Sequence, residues 1–216
     1  MAEKPARRAP VIRLAISVEG PTEEEFVKNV LADHLRAKGV EPQPILLNGN
    51  VTVERLGSDI ARLIRSFNRV TSLVDFYGFR DKNTATPEQL EQRILERVAR
   101  KINRSWDQSR VIPYVQQYEF EGLLFSNVDA FANAIDASEE SIEELRSIRV
   151  RFSTPEDIND NSETAPSKRI VKIIPQYQKK VYGPLIAMEI GLETIRAKCP
   201  RFDDWLTRIE SLGSKD

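Results

Sequence analysis

The sequence predicts an α/β fold: a mainly parallel four-stranded sheet with helices on both faces, followed by a mostly helical C-terminal part. Three observations lead there. Short β-branched runs alternate with helical apolar periods through the first half of the chain. The intervening segments have the length and amphipathic period of βαβ crossover helices. Past residue 119 the pattern is almost wholly helical. The divisions expected are a disordered tail at 1–10, an α/β core over 11–126, and a helical extension over 127–216 packed on that core as a single structural domain.

Taken in order, Val11 to Val18 is an apolar run of strand length broken only by Arg13. Glu19-Gly20-Pro21-Thr22 ends it and a helix begins, with Thr22 expected as N-cap, Glu25 as its capping-box partner, and Glu23 and Glu24 complementing the positive helix end. Its apolar stripe is Phe26, Val27, Val30, Leu31 and Leu35, and Gly39 suits the position after the helix. Pro44 to Leu47 reads as a second strand, and Leu56, Ile60, Leu63, Ile64 and Phe67 as the face of a second helix. Thr71 to Tyr77 is the third strand, closed by Gly78. Thr86-Pro87 opens a third helix, with Leu90, Ile94, Leu95, Val98 and Ile102 on its apolar side. Val111 to Val115 is the fourth strand, placed near an edge or bulged by Pro113. Further helices are expected over Phe120 to Phe125, Val128 to Ile135, Ser141 to Ile148 and Leu192 to Leu212. The polar stretch Thr154 to Lys168 has neither period and reads as a long loop, a class that is often functional.

Composition narrows the chemistry. A formal net charge of −1 gives the whole molecule no strong pull toward polyanions, so any such contact needs a local patch. Cys199 and His34 are the only residues of their types, which excludes a disulfide framework and Cys/His zinc patterns and weakens Ser-His-Asp or Cys-His catalysis. His34 falls within a helical pattern and Cys199 precedes a proline, so both read as structural; Trp106 and Trp205 read as core or interface packing. No apolar run approaches the roughly 18 residues of a membrane span, and no apolar segment of a signal peptide follows Lys4, Arg7 and Arg8. A cytoplasmic location is the expectation.

In a parallel sheet, ligands bind outside the carboxyl ends of the strands. Glu19, Asp75 and the Glu119-Phe120-Glu121 segment each stand at that end of an expected strand, although far apart in sequence. A hard cation such as Mg2+ takes oxygen ligands, commonly one or two protein carboxylates with water and substrate phosphate. Two carboxylates at neighbouring strand ends meet that need. Asp75, between Val74 and Phe76, faces an apolar setting unless a cation pairs with it. The competing reading is a helix-capping glutamate and a salt-bridged aspartate. The Gly20-Pro21-Thr22 turn could hold an anion on free N–H groups, but Glu23 to Glu25 would repel a phosphate unaccompanied by a cation. Lys168 to Tyr182 carries Lys168, Arg169, Lys172, Lys179 and Lys180 with Tyr177 and Tyr182 and no acid, the mixture that holds single-stranded nucleic acid; a solvated face is its alternative. Arg97, Arg100, Lys101 and Arg104 form a second basic patch, while Glu139, Glu140, Glu143 and Glu144 form an acidic exposed helix or a partner surface.

These residues resemble a known family. Val18-Glu19-Gly20-Pro21-Thr22-Glu23-Glu24-Glu25-Phe26-Val27 is similar to the opening motif of TOPRIM-like domains. With Leu73-Val74-Asp75-Phe76-Tyr77-Gly78, Ile112 to Phe125, Thr154 to Asn159, Thr164 to Arg169, Gly191-Leu192 and Cys199 to Asp203, the chain from Ile12 to Leu212 resembles the bacterial "domain of unknown function 4276" family, a TOPRIM-related group. The resemblance implies a TOPRIM fold and nuclease chemistry dependent on Mg2+ or Mn2+. It implies a place in anti-phage defence beside an ABC/SMC-like ATPase encoded nearby. One branch is the toxin subunit of the PARIS system, which such an ATPase holds until a phage trigger frees it to cut host tRNA.

By the same resemblance, Glu19 matches the TOPRIM glutamate that serves as general acid/base or metal ligand, and Asp75 the first aspartate of the Asp-x-Asp pair. Tyr77 stands where the second aspartate would be, so a metal grip would draw on Asp81, Glu119 or Glu121, with Glu23 in support. Lys168 could steady a phosphate. The function expected is therefore a metal-dependent endonuclease acting on nucleic acid, RNA such as tRNA in particular, with a homodimer left open. The alternative is a catalytically degenerate TOPRIM module that docks to or senses for the ATPase. A topoisomerase, a primase or a small-molecule phosphotransferase lacks its motifs here.

Overall fold

The computed structural model describes residues 11–102, 105–159 and 161–213; the expected tail at 1–10 and Arg104 lie outside the described residues. Its centre is a five-stranded sheet in the order β2-β1-β3-β4, with β5 also on β3, and every pairing is parallel. β1 (Ile12–Val18) is the central buried strand, flanked by β2 (Val40–Leu46) and β3 (Arg69–Asp75). The expected fourth strand is split by Pro113 into β4 (Val111–Ile112) and β5 (Val115–Gln116), which pair with the start and the end of β3. Proline cannot donate to a ladder. The Ser72 hydroxyl bridges the break instead, accepting from Tyr114 N at 3.0 Å and donating to Tyr114 O at 2.9 Å.

Alternation along the strands assigns each side chain to a face. Val70 and Val74 of β3 and Ala15 of β1 look toward α3 (Val53–Leu63) and α4 (Pro87–Ile102). Leu73 of β3 and Leu14, Ile16 and Val18 of β1 look toward the other face. Asp75, in phase with Leu73, belongs to that second face.

The second face is covered by a helix in three parts, α1 (Pro21–Phe26), a π-helical turn (Val27–Leu31) and α2 (Ala32–Ala37), and by the C-terminal helices. These are α5 (Glu121–Leu124), α6 (Ala130–Ile135), α7 (Glu139–Arg149), α8 (Pro166–Ile173), α9 (Lys179–Ile190), α10 (Leu192–Lys198) and α11 (Pro200–Glu210). Phe26 of α1 packs edge-on to Phe120 and Phe202, at ring distances of 5.2 and 5.9 Å, joining the first helix to the C-terminal ones. Trp205 of α11 stacks on Tyr114 at 4.9 Å and donates from its indole N–H to Thr71 Oγ1 at 2.8 Å.

Several boundaries differ from the sequence expectation. The first helix starts two residues earlier, with Gly20 as N-cap: Pro21 takes the first helical position, where its missing N–H costs nothing, and Glu23 rather than Glu25 closes the cap by accepting from Gly20 N at 2.9 Å. Thr22 is thus inside the helix. β2 begins at Val40 instead of Pro44, because an edge strand tolerates Pro42 and Pro44. The Thr154–Lys168 loop contains two short 3-10 turns and the start of α8. No helix among the described residues is long and apolar enough to cross a membrane. His34 pairs with Glu210, and Cys199 is buried.

Candidate functional site

The carboxyl edge of the sheet gathers acidic side chains from four segments. Asp75 ends β3; Glu19 follows β1; Glu23 is on the first turn of α1; Glu121 opens α5. Asp75, Glu23 and Glu121 are nearly or fully buried. At their centre is Lys179, the first residue of α9. Its Nζ lies 3.0 Å from Asp75 Oδ2, 3.0 Å from Glu121 Oε2 and 3.8 Å from Glu23 Oε1. The cation that a buried Asp75 requires is therefore this lysine, 104 residues away in the chain. Asp75 Oδ1 is held by Phe120 N at 2.7 Å.

Two glycines make the convergence possible. A Cβ on Gly183 would meet Thr22, the Tyr177 hydroxyl and the Phe120 ring at 3.2–3.4 Å, so a glycine lets α9 lie close on α1 and bring Lys179 to the edge. A Cβ on Gly78 would fall 2.1 Å from Glu19 Oε2, so the turn after Asp75 must be bare where the Glu19 carboxylate rests.

The electrostatics follow from burial. Desolvation, followed by the Asp75 charge, pushes Glu19 up to about 7, against the pull of Lys179 and of the Asp75 backbone N–H. Burial also raises Glu23 and Glu121, with Asp75 adding to both and Lys179 opposing. For Lys179, burial favours the neutral amine, but Asp75, Glu121 and Glu23 outweigh it and hold the ammonium well above its ordinary value. The cluster thus carries more acid than one lysine balances. Three of its buried oxygens, Glu19 Oε2 and both of Glu121, have no hydrogen-bond partner of good geometry, although Glu121 Oε2 touches the lysine charge. Tyr177, buried beside Glu121, has a hydroxyl that approaches that carboxylate without forming a hydrogen bond of good geometry, and it is pushed upward by burial and by that neighbour.

Unpaired carboxylate oxygens are hard donors that suit a divalent cation. Glu19 has such an oxygen in Oε2, whereas Asp75, at the adjacent strand end, has both oxygens engaged and could join a metal only by sharing or giving up its bond to Lys179. The described residues contain no cage of three or more His, Cys, Asp or Glu side chains. A groove of about 490 Å³ opens beside this edge, lined by Glu19, Gly20, Glu23, Asn48, Lys179 and Lys180 among others.

Other residues singled out from the sequence are placed differently. Glu119 is near enough to raise Glu19, but its Oε2 accepts from Ser167 N at 2.9 Å at the start of α8. Asp81 accepts from Val53 N at 3.0 Å and caps α3. The first N–H of the Gly20 turn is taken by Glu23, so that turn offers less to an anion than its sequence suggests. Tyr77 joins an aromatic group with Phe76 and Tyr118; Tyr118 has φ +61°, a conformation that costs a bulky residue on the order of 1–3 kcal/mol. The basic run divides. Lys179 and Lys180 reach the acidic edge, whereas Lys168, Arg169 and Lys172 line a separate groove with Arg151, Glu144 and Glu163. The pairing of Lys179 with the acids was not readable from sequence, since a lysine within a basic run gives no sign of which distant carboxylates it will meet.

The sequence profile of the family described as "Domain of unknown function (DUF4276)" matches residues 18–210. The chain belongs to the DUF4276 family. No curated protein sequence matches this DUF4276 chain. Among solved structures it is similar to the C-terminal region of the Burkholderia pseudomallei OLD protein, with 16% identity, 94% of this chain and 99% of the other covered, and a TM-score of 0.50. The C-terminal region of the Xanthomonas campestris pv. campestris OLD protein matches with 13% identity, coverage of 93% and 95%, and a TM-score of 0.49. The Burkholderia match speaks to the fold: a mixed α/β DUF4276 chain with a parallel sheet and a helical C-terminal part.

Proposed function

We propose that this DUF4276 chain is a Mg2+-dependent (or Mn2+-dependent) endonuclease that cuts phosphodiester bonds of nucleic acid, RNA such as tRNA in particular. The observation that carries the reading is the meeting of Glu19 and Asp75 at the carboxyl edge, with Glu19 Oε2 buried and unpartnered beside an open groove. The similarity of the same residues to the TOPRIM motif supports it. Glu19 and Asp75 would hold the cation, with Glu121 and Glu119 behind them. When bound, the ion neutralises phosphate charge and lowers the pKa of a coordinated water.

The chain's own residues supply the rest. Glu19, pushed up to about 7, exchanges a proton near neutral pH and suits a general acid/base role. Phe120 N and Lys179 fix the Asp75 carboxylate from both sides. Lys179 balances charge that Asp75, Glu121 and Glu23 would otherwise leave repelling one another. Lys180, on the groove wall, offers a free-standing positive charge to a phosphate.

The biological setting we infer is anti-phage defence, as a toxin restrained by an ABC/SMC-like ATPase, the arrangement of the PARIS branch. An ATPase gene beside this one, and co-purification of the two products, would support it; a chain equally toxic with and without that ATPase would count against restraint. The chemistry is tested by incubating purified protein with tRNA, other RNA and plasmid DNA in Mg2+, Mn2+ or chelator. Cleavage that requires metal and vanishes in Glu19→Ala and Asp75→Ala, with both variants folded, is the expected result. Undiminished cleavage by both variants would discard the proposal.

A second reading has its own observation: Tyr77 replaces an acid, and Lys179 fills the space between three carboxylates. A docking module that does not cut would show this too. Calorimetry with Mn2+ separates the two, since heat of binding lost in Asp75→Asn favours the enzyme.

A further inference from the structure

The turn that follows Asp75 carries a feature that metal chemistry does not use. Phe76, Tyr77 and Tyr118 bring three rings together at the carboxyl edge, with centroid separations of 5.7, 5.7 and 6.3 Å. Each residue is partly exposed, where a core would enclose them. The Lys82 ammonium lies 5.7 Å from the Tyr77 ring and 6.0 Å from the Phe76 ring. The group is fixed to its site: Tyr77 N donates to Tyr118 O at 3.1 Å, Asp75 immediately precedes Phe76, and Gly78 of the same turn is in contact with Glu19. Asn159, from the loop before α8, reaches the Tyr77 hydroxyl, and its Oδ1 is buried without a partner.

Flat rings beside the edge where the nuclease reading places a phosphate, with a cation alongside, suit one class of ligand. Unpaired bases stack on aromatic side chains, and cations hold the backbone. Bases inside a duplex keep their faces covered by their neighbours and cannot use such a surface without being extruded. We propose that Phe76, Tyr77 and Tyr118, with Lys82, form a stacking platform for an unpaired nucleobase of the strand whose phosphate meets Glu19 and Asp75. The proposal rests on the nuclease reading and adds to it the substrate class: single-stranded or loop nucleotides over continuous duplex.

The test measures binding, so it reads even if no cleavage is ever seen. Full-length Glu19→Gln protein is titrated, in chelator, with a short oligoadenylate RNA, the same strand with one abasic position, and a blunt RNA duplex. Tyr77→Leu and Tyr118→Asn are then added to that background; asparagine is chosen because it tolerates the left-handed backbone at 118, and circular dichroism checks folding. The expected result is tighter binding of the single strand than of the duplex. Either added substitution should weaken the single strand by about five- to a hundredfold, the range of one lost base stack, while leaving the duplex nearly unchanged. A fluorescent adenine analogue in the strand should be quenched by the parent and less so by the variants. Equal affinity for duplex and single strand, equal affinity of parent and folded variants, or no binding of the single strand would each overturn the platform. Metal-dependent cleavage that disappears with Asp75 would still stand in those cases.

Discussion

Glu121 and Glu156 are both buried glutamates at the C-terminal side of the sheet, and they differ in what meets them. Glu156 accepts from Arg201 N at 2.9 Å and Phe202 N at 3.1 Å, so it caps α11, and the Tyr114 hydroxyl adds a contact at 3.4 Å. Glu121 has one lysine, shared with Asp75 and Glu23, and no well-formed hydrogen bond. Burial raises both carboxyls; around Glu156 two backbone N–H groups and Arg201 pull back, whereas around Glu121 Lys179 alone pulls back and the charges of Asp75 and Glu119 work against it. The first arrangement is complete as it stands. The second has acceptor capacity to spare, and spare acceptors in a dry place are what a cation or a phosphate-bound ion can use. The contrast separates a carboxylate whose partners are complete from one with acceptor capacity left over better than burial does.

The sharpest way to break this contrast is to remove one acid from each region. Glu19→Gln and Asp75→Asn should lower metal-dependent cleavage by about 10²–10⁴-fold, the usual range for acid–base groups; Glu19→Gln should do so with little loss of stability, whereas Asp75→Asn also breaks the buried pair with Lys179 and lowers the melting temperature. Glu156→Ala should do the reverse. It strips the cap from α11 and leaves the N–H groups of Arg201 and Phe202 unpaired, at a cost of about 1–3 kcal/mol; the melting temperature falls while cleavage per folded molecule is kept. Activity lost in Glu156→Ala with an unchanged melting curve would undo the distinction.

Lys179→Met ranks next. Removing one partner of a buried ion pair costs about 3–5 kcal/mol, and because Lys179 is 36% exposed the lower end applies. Thermal denaturation should show this loss, and Mn2+ should recover part of it by replacing the missing positive charge. A variant that melts with the parent, or that Mn2+ leaves unaffected, would mean that the carboxylates simply protonate.

The pH dependence is a subtler probe. Between the ordinary carboxyl value of 4.5 and about 7, folded Glu19 keeps a proton that the unfolded chain has released. Metal-free stability therefore falls as pH rises through that window, and divalent binding, which needs the carboxylate, strengthens over the same interval. Glu19→Gln should flatten this part of the stability profile. It should also raise the metal-free melting temperature at pH 8, a counterintuitive gain; an unchanged or steeper profile would refute the buried acid. The smallest effect is expected from Ser72→Ala, which removes the bridge across the strand break for about 1 kcal/mol and should leave cleavage untouched.

Much of the fold was legible because it depends on local pattern. β-branched runs and amphipathic periods located β1, β3 and the helices α3 and α4, and two-residue alternation in β3 places Asp75 on the face of Leu73. Legibility failed where a tertiary condition overrules a local preference. Thr22 looks like a cap until Pro21 claims the first helical position. Pro42 and Pro44 argue against a strand unless that strand is known to lie at an edge. In the site, Glu19 and Asp75 could be read because strand ends converge in any parallel sheet. The depth of Glu121 and the central place of Lys179 could not, since they depend on how α9 settles on α1 through Gly183. Nor did the basic run announce its division: α8 ends at Ile173 and α9 starts at Lys179, so the bend between them sends the two halves to different grooves.

The prolines in the outer strands have a consequence beyond strand length. An open sheet normally offers two rows of unsatisfied amides and carbonyls on which a foreign strand can nucleate. Here one border is broken by Pro42 and Pro44 and the other by Pro113, so neither presents a continuous row of donors. Whatever this chain binds, a copy of itself or a regulator, its sheet is poorly suited to growth by added strands, and association is directed to the helical surface that surrounds it.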